Sequence, residues 1–202
     1  MLIINLSGRK ALVTGGARGI GAGIVRALAE CDAGVAFTHL GSQRGTESAE
    51  QLLAKLNAKG KQVLRFVAAA DDMEAMSQVA SDAAEALGGL DIVVPNVGQN
   101  WVATIDELDL AGWRRGLDVN LTSAFIAIKV ALPWLLEAEH ADIVFIGSSA
   151  VMDGGGGGAH YAAAKAGVEG RGEGLMRERP PKGTRVNTGP PCVLGAGRLP
   201  GR

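Results

Sequence analysis

The chain has 202 residues, 47% of them apolar and 20% charged, with a formal net charge of -1 at pH 7. This composition excludes collagen, disorder and a disulfide mini-fold and describes one globular domain. A charge near zero gives no electrostatic basis for binding nucleic acid or an acidic membrane, so a small molecule is the expected partner.

Cys31 and Cys192 belong to no C-x-x-C pair, so neither a disulfide framework nor a metal site is expected, and a reducing cytoplasm is the expected location. The longest apolar stretch, Ala124 to Leu136, is short and carries Lys129 and Pro133, so no transmembrane span is expected. The N-terminal Met-Leu-Ile-Ile-Asn-Leu has no basic region and too little apolar length for a signal peptide.

Short β-branched runs alternate with longer runs of helical period along the chain. The pattern predicts a strand over Ala11-Thr14, a helix over Ile20-Glu30, a strand over Val35-Thr38 and a helix over Glu47-Ala58. A strand over Gln62-Val67, a helix over Met73-Leu87 and a strand over Ile92-Val94 follow. The last elements are a helix over Thr122-Glu139, a strand over Ile143-Gly147, a helix over Tyr161-Glu178 and a strand over Arg185-Asn187. Strands that alternate with helices give a doubly wound α/β fold, a parallel sheet covered by helices on both faces. From Pro180 to Arg202 the pattern stops: five Gly and five of the seven Pro fall in this stretch, a composition of irregular chain.

Glycines give the first functional signal. Thr14-Gly15-Gly16-Ala17-Arg18-Gly19-Ile20-Gly21 lies between the first strand and the first helix. Glycines at 15, 19 and 21 let the backbone turn tightly and approach a pyrophosphate, whose charge meets the helix N-terminus. Folds that bind NAD place an Asp or Glu at the end of the second strand to hold the ribose 2′-hydroxyl. No acid occurs here from Ala33 through Thr46; Thr38 and His39 occupy the strand end, and the Arg18 guanidinium suits a 2′-phosphate, so NADP(H) is expected over NAD(H).

Tyr161, the only tyrosine, precedes Lys165 by four residues, which puts both on one helix face. A neighbouring ammonium favours phenolate over phenol, and such a tyrosine can exchange a proton with a carbonyl or an alcohol. Ser148, at a strand end thirteen residues earlier, is placed to hold the same oxygen, with Ser149 as the alternative. The same residues also suit a core tyrosine beside a surface lysine.

These motifs, with Pro95-Asn96-Val97-Gly98, Asp118-Val119-Asn120, Gly147-Ser148-Ser149 and Arg185-Val186-Asn187, resemble the short-chain dehydrogenase/reductase family in order and spacing over roughly Leu6 to Asn187. The resemblance implies a three-layer αβα Rossmann fold, with an NADP-binding catalytic domain over 1-188 and an irregular Gly/Pro-rich tail over 189-202. It implies Tyr161 as acid/base, Lys165 as the ribose ligand that tunes it, Ser148 as the group that polarises the carbonyl, and Asn120 as the holder of a relay water. Asn120 also suits the N-cap of the helix that follows it. The implied cofactor contacts are Gly15, Ala17, Arg18, Gly19, Ile20, Gly21, Thr38, His39, Asn96, Gly98, Tyr161 and Lys165. Homodimers of the family join through two long helices, here Thr122-Glu139 and Tyr161-Glu178.

Departures from the family pattern fall near the cofactor and substrate. Pro95 replaces one asparagine, and Ala69 stands where an aspartate commonly meets adenine, with Asp71 and Asp72 displaced. The five glycines from Gly154 to Gly158 supply no side chain for substrate recognition, and Gly167, Gly170, Gly172 and Gly174 each cost about 1 kcal/mol in a helix. The nicotinamide clamp reads Pro191-Cys192 and Ala196, and the family's lid segment and last strand are expected to be missing. Two readings follow: a carbonyl reductase or alcohol dehydrogenase that uses NADP(H), or an impaired relative that binds nucleotide or protein without turnover.

Overall fold

The computed structural model describes residues 4–154, 157–177 and 183–191. Six parallel strands form one sheet, β1 (Lys10–Val13), β2 (Gly34–His39), β3 (Val63–Val67), β4 (Ile92–Val94), β5 (Asp142–Ile146) and β6 (Arg185–Gly189), in the order β3-β2-β1-β4-β5-β6. Every expected strand is present, and the chain reverses its direction of winding between β1 and β4. At such a switch point the loops leaving neighbouring strands part and open a crevice at their C-terminal ends.

The helices are α1 (Gly19–Glu30), α2 (Gln43–Asn57), α3 (Met73–Leu87), α4 (Leu110–Leu117), α5 (Ser123–Glu137), α6 (Ala150–Asp153) and α7 (Ala159–Arg177). Alternation along the strands divides the core between the two faces of the sheet. Val13, Val35, Phe37 and Val94 pack with Val25, Ala29, Leu52 and Leu56 of α1 and α2. Leu12, Ala36, Val93 and Phe145 pack with Met76, Ala80, Ala127 and Leu135 of α3 and α5. A sheet buried on both faces requires apolar residues at consecutive strand positions, which β2 and β4 supply.

Three departures from the expected elements have local causes. α2 starts at Gln43, four residues before the expected Glu47, because the Ser42 hydroxyl caps it by accepting from the Gly45 amide at 3.2 Å. α4 is an additional helix, capped by Asp109, whose carboxylate accepts from the Gly112 amide at 2.7 Å. It runs through a π-helical turn, Asp118–Thr122, directly into α5, so Asn120 lies inside continuous helix and the N-cap reading is corrected.

Leu110–Glu137 is 28 residues long, and its most apolar 18-residue window has a mean hydropathy of 1.6, enough to cross a membrane by length and composition, where the expectation had counted only Ala124 to Leu136. Half of its most apolar window is buried in this fold, where Ile126, Ala127, Val130 and Ala131 join the cluster around α3. α7 forms despite its glycines. Pro180, Cys192 and Ala196, with most of the expected irregular tail, lie outside the described residues.

An ionic cluster ties the N-terminal strand ends together, opposite the crevice. Arg9 donates from Nε to Asp91 at 2.7 Å and from Nη2 to Asp142 at 2.9 Å, and Arg185 donates to Asp142 from Nε at 2.7 Å and from Nη2 at 3.0 Å. Partial burial works against ionisation of Asp142, yet hydrogen bonds and charge from Arg185 and Arg9 outweigh it and hold the carboxyl below its usual range. A carboxyl depressed on folding contributes stability above its unfolded value of 3.8, and this is lost as pH falls through the folded value. Asp142→Asn is expected to cost about 2 kcal/mol at pH 7, because Arg9 loses a charged partner in a partly buried site. The cost should shrink below pH 4, as followed by urea unfolding across pH; a pH-independent cost would contradict the assignment.

Candidate functional site

The loop after β1 is held from two sides. The Thr14 hydroxyl accepts from the amides of Asn96 at 3.0 Å and Val97 at 3.2 Å. The Asn96 side-chain amide donates to the carbonyls of Thr14 at 2.9 Å and Gly15 at 3.2 Å. From the other side, the Thr38 hydroxyl accepts from the Gly15 amide at 3.2 Å, and the Thr38 carbonyl accepts from the Gly16 amide at 2.9 Å. β1, β2 and β4 thus fix one loop at the switch point.

Two glycines are required by this geometry. Gly15 has φ +67°, in the left-handed region that side chains disfavour. A Cβ at Gly21 would collide with the Gly15 carbonyl, so only glycine lets α1 begin this close to the loop. α1 has no side-chain cap at its N-terminus and no acidic residue in its first turn, an end suited to an anion.

A cavity of about 440 Å³ lies beside Arg9, Asp91 and His140, near the ionic cluster and away from this loop. The crevice at the switch point is larger, about 730 Å³, and ten of the twelve expected cofactor contacts line it: Gly15, Ala17, Arg18, Gly19, Ile20, Gly21, Thr38, His39, Asn96 and Gly98. Arg44 and Arg115 also line it, and Asp71 is the one acid among its described lining residues. Three guanidiniums and the free end of α1 suit a ligand rich in phosphate. Asp72, by contrast, caps α3 by accepting from the amides of Glu74 and Ala75, both at 3.0 Å. His39 is buried, with Nδ1 at 3.0 Å from the Leu40 carbonyl and no partner for Nε2.

Arg44 had a signal in the sequence, a cation six residues beyond Thr38 in a segment without acids. Arg115 had none, since it stands on the additional helix α4.

Tyr161 and Lys165 stand apart from the described lining of that crevice, on the first turns of α7. The Lys165 ammonium is buried, donates to the Ile146 carbonyl at 2.8 Å and lies 5.9 Å from the centre of the Tyr161 ring. Desolvation lowers its pKa from 10.5 to about 8. Asn120 is also buried: Nδ2 donates to the carbonyls of Gln99 at 2.9 Å and Gly116 at 3.0 Å, while Oδ1 accepts from the Gln99 amide at 3.0 Å. Gly98 connects the two, since a Cβ there would lie 3.1 Å from Asn120 Oδ1 and 3.4 Å from Lys165 Nζ. Ser148 is buried just beyond β5, where its hydroxyl accepts from the Ala150 amide at 3.2 Å. Ser149 instead precedes α6 without capping it. The arrangement offers a phenol beside a buried cation at the edge of a nucleotide-sized crevice, a combination suited to proton transfer.

The sequence model of the family described as short chain dehydrogenase matches residues 9–197. The chain is 34% identical over 191 residues to the 3-oxoacyl-(acyl-carrier-protein) reductase FabG of Vibrio cholerae, a match that covers 95% of this chain and 75% of that protein. It resembles the crystal structure of a dehydrogenase/reductase from Sinorhizobium meliloti 1021 with a TM-score of 0.89 and 34% identity, over 96% of this chain and 75% of that one. A short chain dehydrogenase from Burkholderia cenocepacia J2315, solved in complex with NADP, matches with a TM-score of 0.84 and 37% identity, over 91% of this chain and 74% of that one. Sequence and fold agree over nearly the whole chain, which therefore belongs to the short chain dehydrogenase family of oxidoreductases.

Proposed function

We propose that the chain is an NADP(H)-dependent oxidoreductase acting between a carbonyl compound and the corresponding secondary alcohol, with Tyr161 as the acid/base. The observation that carries this reading is the buried Lys165 ammonium, fixed by the Ile146 carbonyl beside the Tyr161 ring and close to Gly98. Burying a lysine among neutral groups opposes folding, and the position gains a purpose if the cation supports a phenolate and binds ribose hydroxyls.

The glycine loop and α1 would hold the pyrophosphate, while Arg18 and Arg44 favour a 2′-phosphate at the end of β2, where the segment Ala33 through Thr46 has no acid to take a 2′-hydroxyl. A nicotinamide cofactor bound there would supply or accept the hydride. Tyr161 donates a proton from its hydroxyl to the carbonyl oxygen during reduction and accepts one during oxidation. Ser148 holds that oxygen by a hydrogen bond, and Asn120 orients a water that returns the proton to Lys165 and Tyr161. A cytoplasmic homodimer joined through α5 and α7 is part of this reading. On α5, Ile128 and Leu135 belong to the core, so such an interface would use the exposed part of that helix. The alternative of a relative without turnover gains no support from an intact and buried Lys165 and Asn120.

Tyr161→Phe is expected to lower kcat for carbonyl-dependent NADPH oxidation by at least about 100-fold, the scale of general acid catalysis, while NADPH binding persists. Unchanged turnover would overturn the assignment. Lys165 gives a second expectation. Between about pH 8 and 10.5 the unfolded chain binds a proton that the folded chain has released, so folding stability rises with pH over this window, by up to about 3 kcal/mol. Urea unfolding of Lys165→Met should lack this rise; an identical pH profile for the two proteins would contradict the burial argument.

A further inference from the structure

Trp101 and His160 have no role in the proposed proton transfer, yet they join the two segments that flank it. The ring of His160 stacks on Trp101 with centroids 4.5 Å apart and an interplanar angle of 28°. His160 is fully buried, neither ring nitrogen has a hydrogen-bond partner among the described residues, and it immediately precedes Tyr161. Its opposite side presses on α4 so closely that a Cβ at Gly116 would lie 2.8 Å from the imidazole Cδ2. The carbonyl of the same Gly116 accepts from Asn120. Burial lowers the His160 pKa, which keeps the ring uncharged against the indole.

The segment that carries Trp101 begins on the Asn120 side chain through Gln99. It ends where the Ala103 amide donates to the Gly157 carbonyl at 2.9 Å, in the glycine-rich segment before α7. It therefore runs between the Asn120 side chain and the start of α7, the turn that carries Tyr161. No charged residue occurs in Gln99–Ile105 or in Ser148–Met152, and Val102, Ile105 and Met152 expose 79%, 76% and 90% of their surface. A thioester carrier with several phosphates needs cations along its path, and neither segment supplies one.

We propose that Trp101, set in place by His160, is a substrate-selecting wall, and that the substrate it selects is a neutral apolar ketone or secondary alcohol rather than an anionic acyl thioester. The inference rests on the carbonyl chemistry proposed above, and it differs in kind from the activity named for the Vibrio cholerae relative. His160 is a positioning residue here, because it acts through Trp101 and touches no reacting atom.

The test uses the full chain with NADPH and two kinds of probe, cyclohexanone and 2-octanone as neutral ketones and acetoacetyl-CoA as the anionic thioester. The expected result is a kcat/KM for at least one neutral ketone about 10-fold or more above that for acetoacetyl-CoA, since a lost apolar wall or an unpaired charge is worth at least that factor. Trp101→Ala should raise KM for the ketone about 10-fold, with kcat and NADPH affinity changed by less than about 3-fold. His160→Ala should have the same effect, and His160→Phe, which keeps a ring against the indole, should restore KM. Trp101→Lys, which leaves α7 untouched, should shift preference toward acetoacetyl-CoA. NADPH binding reports folding in each variant. A preference of the native chain for acetoacetyl-CoA, or a KM for ketone unaffected by Trp101→Ala, would overturn this inference while leaving the oxidoreductase reading intact. No turnover with any of the three probes by a chain that binds NADPH would overturn both.

Discussion

The site depends on the hydrogen bonds that pin one glycine loop between three strands. Parallel strands leave unpaired amides and carbonyls at their C-terminal ends, and at the switch point between β1 and β4 no continuing helix fills the gap. Thr14, Asn96 and Thr38 satisfy those groups with side chains rather than water. The loop is thus set before any ligand arrives, with Gly15 in its left-handed turn and the start of α1 brought against it. Preorganisation of this kind lowers the ordering cost of binding. Thr38 shows that one residue can line the crevice and hold its wall at once.

The side proposed for acid/base chemistry obeys a different constraint. Lys165 and Asn120 are polar groups inside the protein, where an unpartnered polar atom is costly. Each is partnered by main-chain atoms: Lys165 by the Ile146 carbonyl and Asn120 by Gln99 and Gly116. Because those partners belong to β5, to the loop after β4 and to α4, the sheet order itself brings the start of α7 to the edge of the crevice proposed to hold the nucleotide. The π-helical turn at Asp118–Thr122 contributes by inserting Asn120 into continuous helix, so that its amide faces the loop instead of capping a helix start. The proposed proton-transfer and nucleotide sites thus share Gly98 and its flanking loop.

The inner strands were legible in the sequence because a sheet covered on both faces needs consecutive apolar residues, as in β2 and β4, whereas β6 alternates exposed and half-buried residues. The glycine loop and the Tyr161-Lys165 pair were equally legible, since a positive φ and a shared helix face leave marks at fixed spacing. α4 was not, because Gly112 and Gly116 interrupt its apolar period and its boundary is set by the Asp109 cap. Arg115 went unseen with it. Phe125, Ile128, Leu132 and Leu135, apolar residues at helical spacing on α5, show the limit of periodicity: spacing marks an apolar face but not what covers it, and Ile128 and Leu135 are covered by this chain's own core. Stacking of His160 on Trp101 is a contact between residues 59 positions apart by number, and no local pattern announces it.

The crevice between β1, β2 and β4 is proposed to be a preformed nucleotide site whose arginines prefer a 2′-phosphate. Calorimetric titration of the full chain with NADPH and, separately, with NADH tests this preference. Saturable binding of NADPH is expected, about 10-fold or more tighter than NADH, because a charge-assisted contact is gained. Tighter binding of NADH would contradict the role given to Arg18 and Arg44, and no binding of either would contradict the site itself.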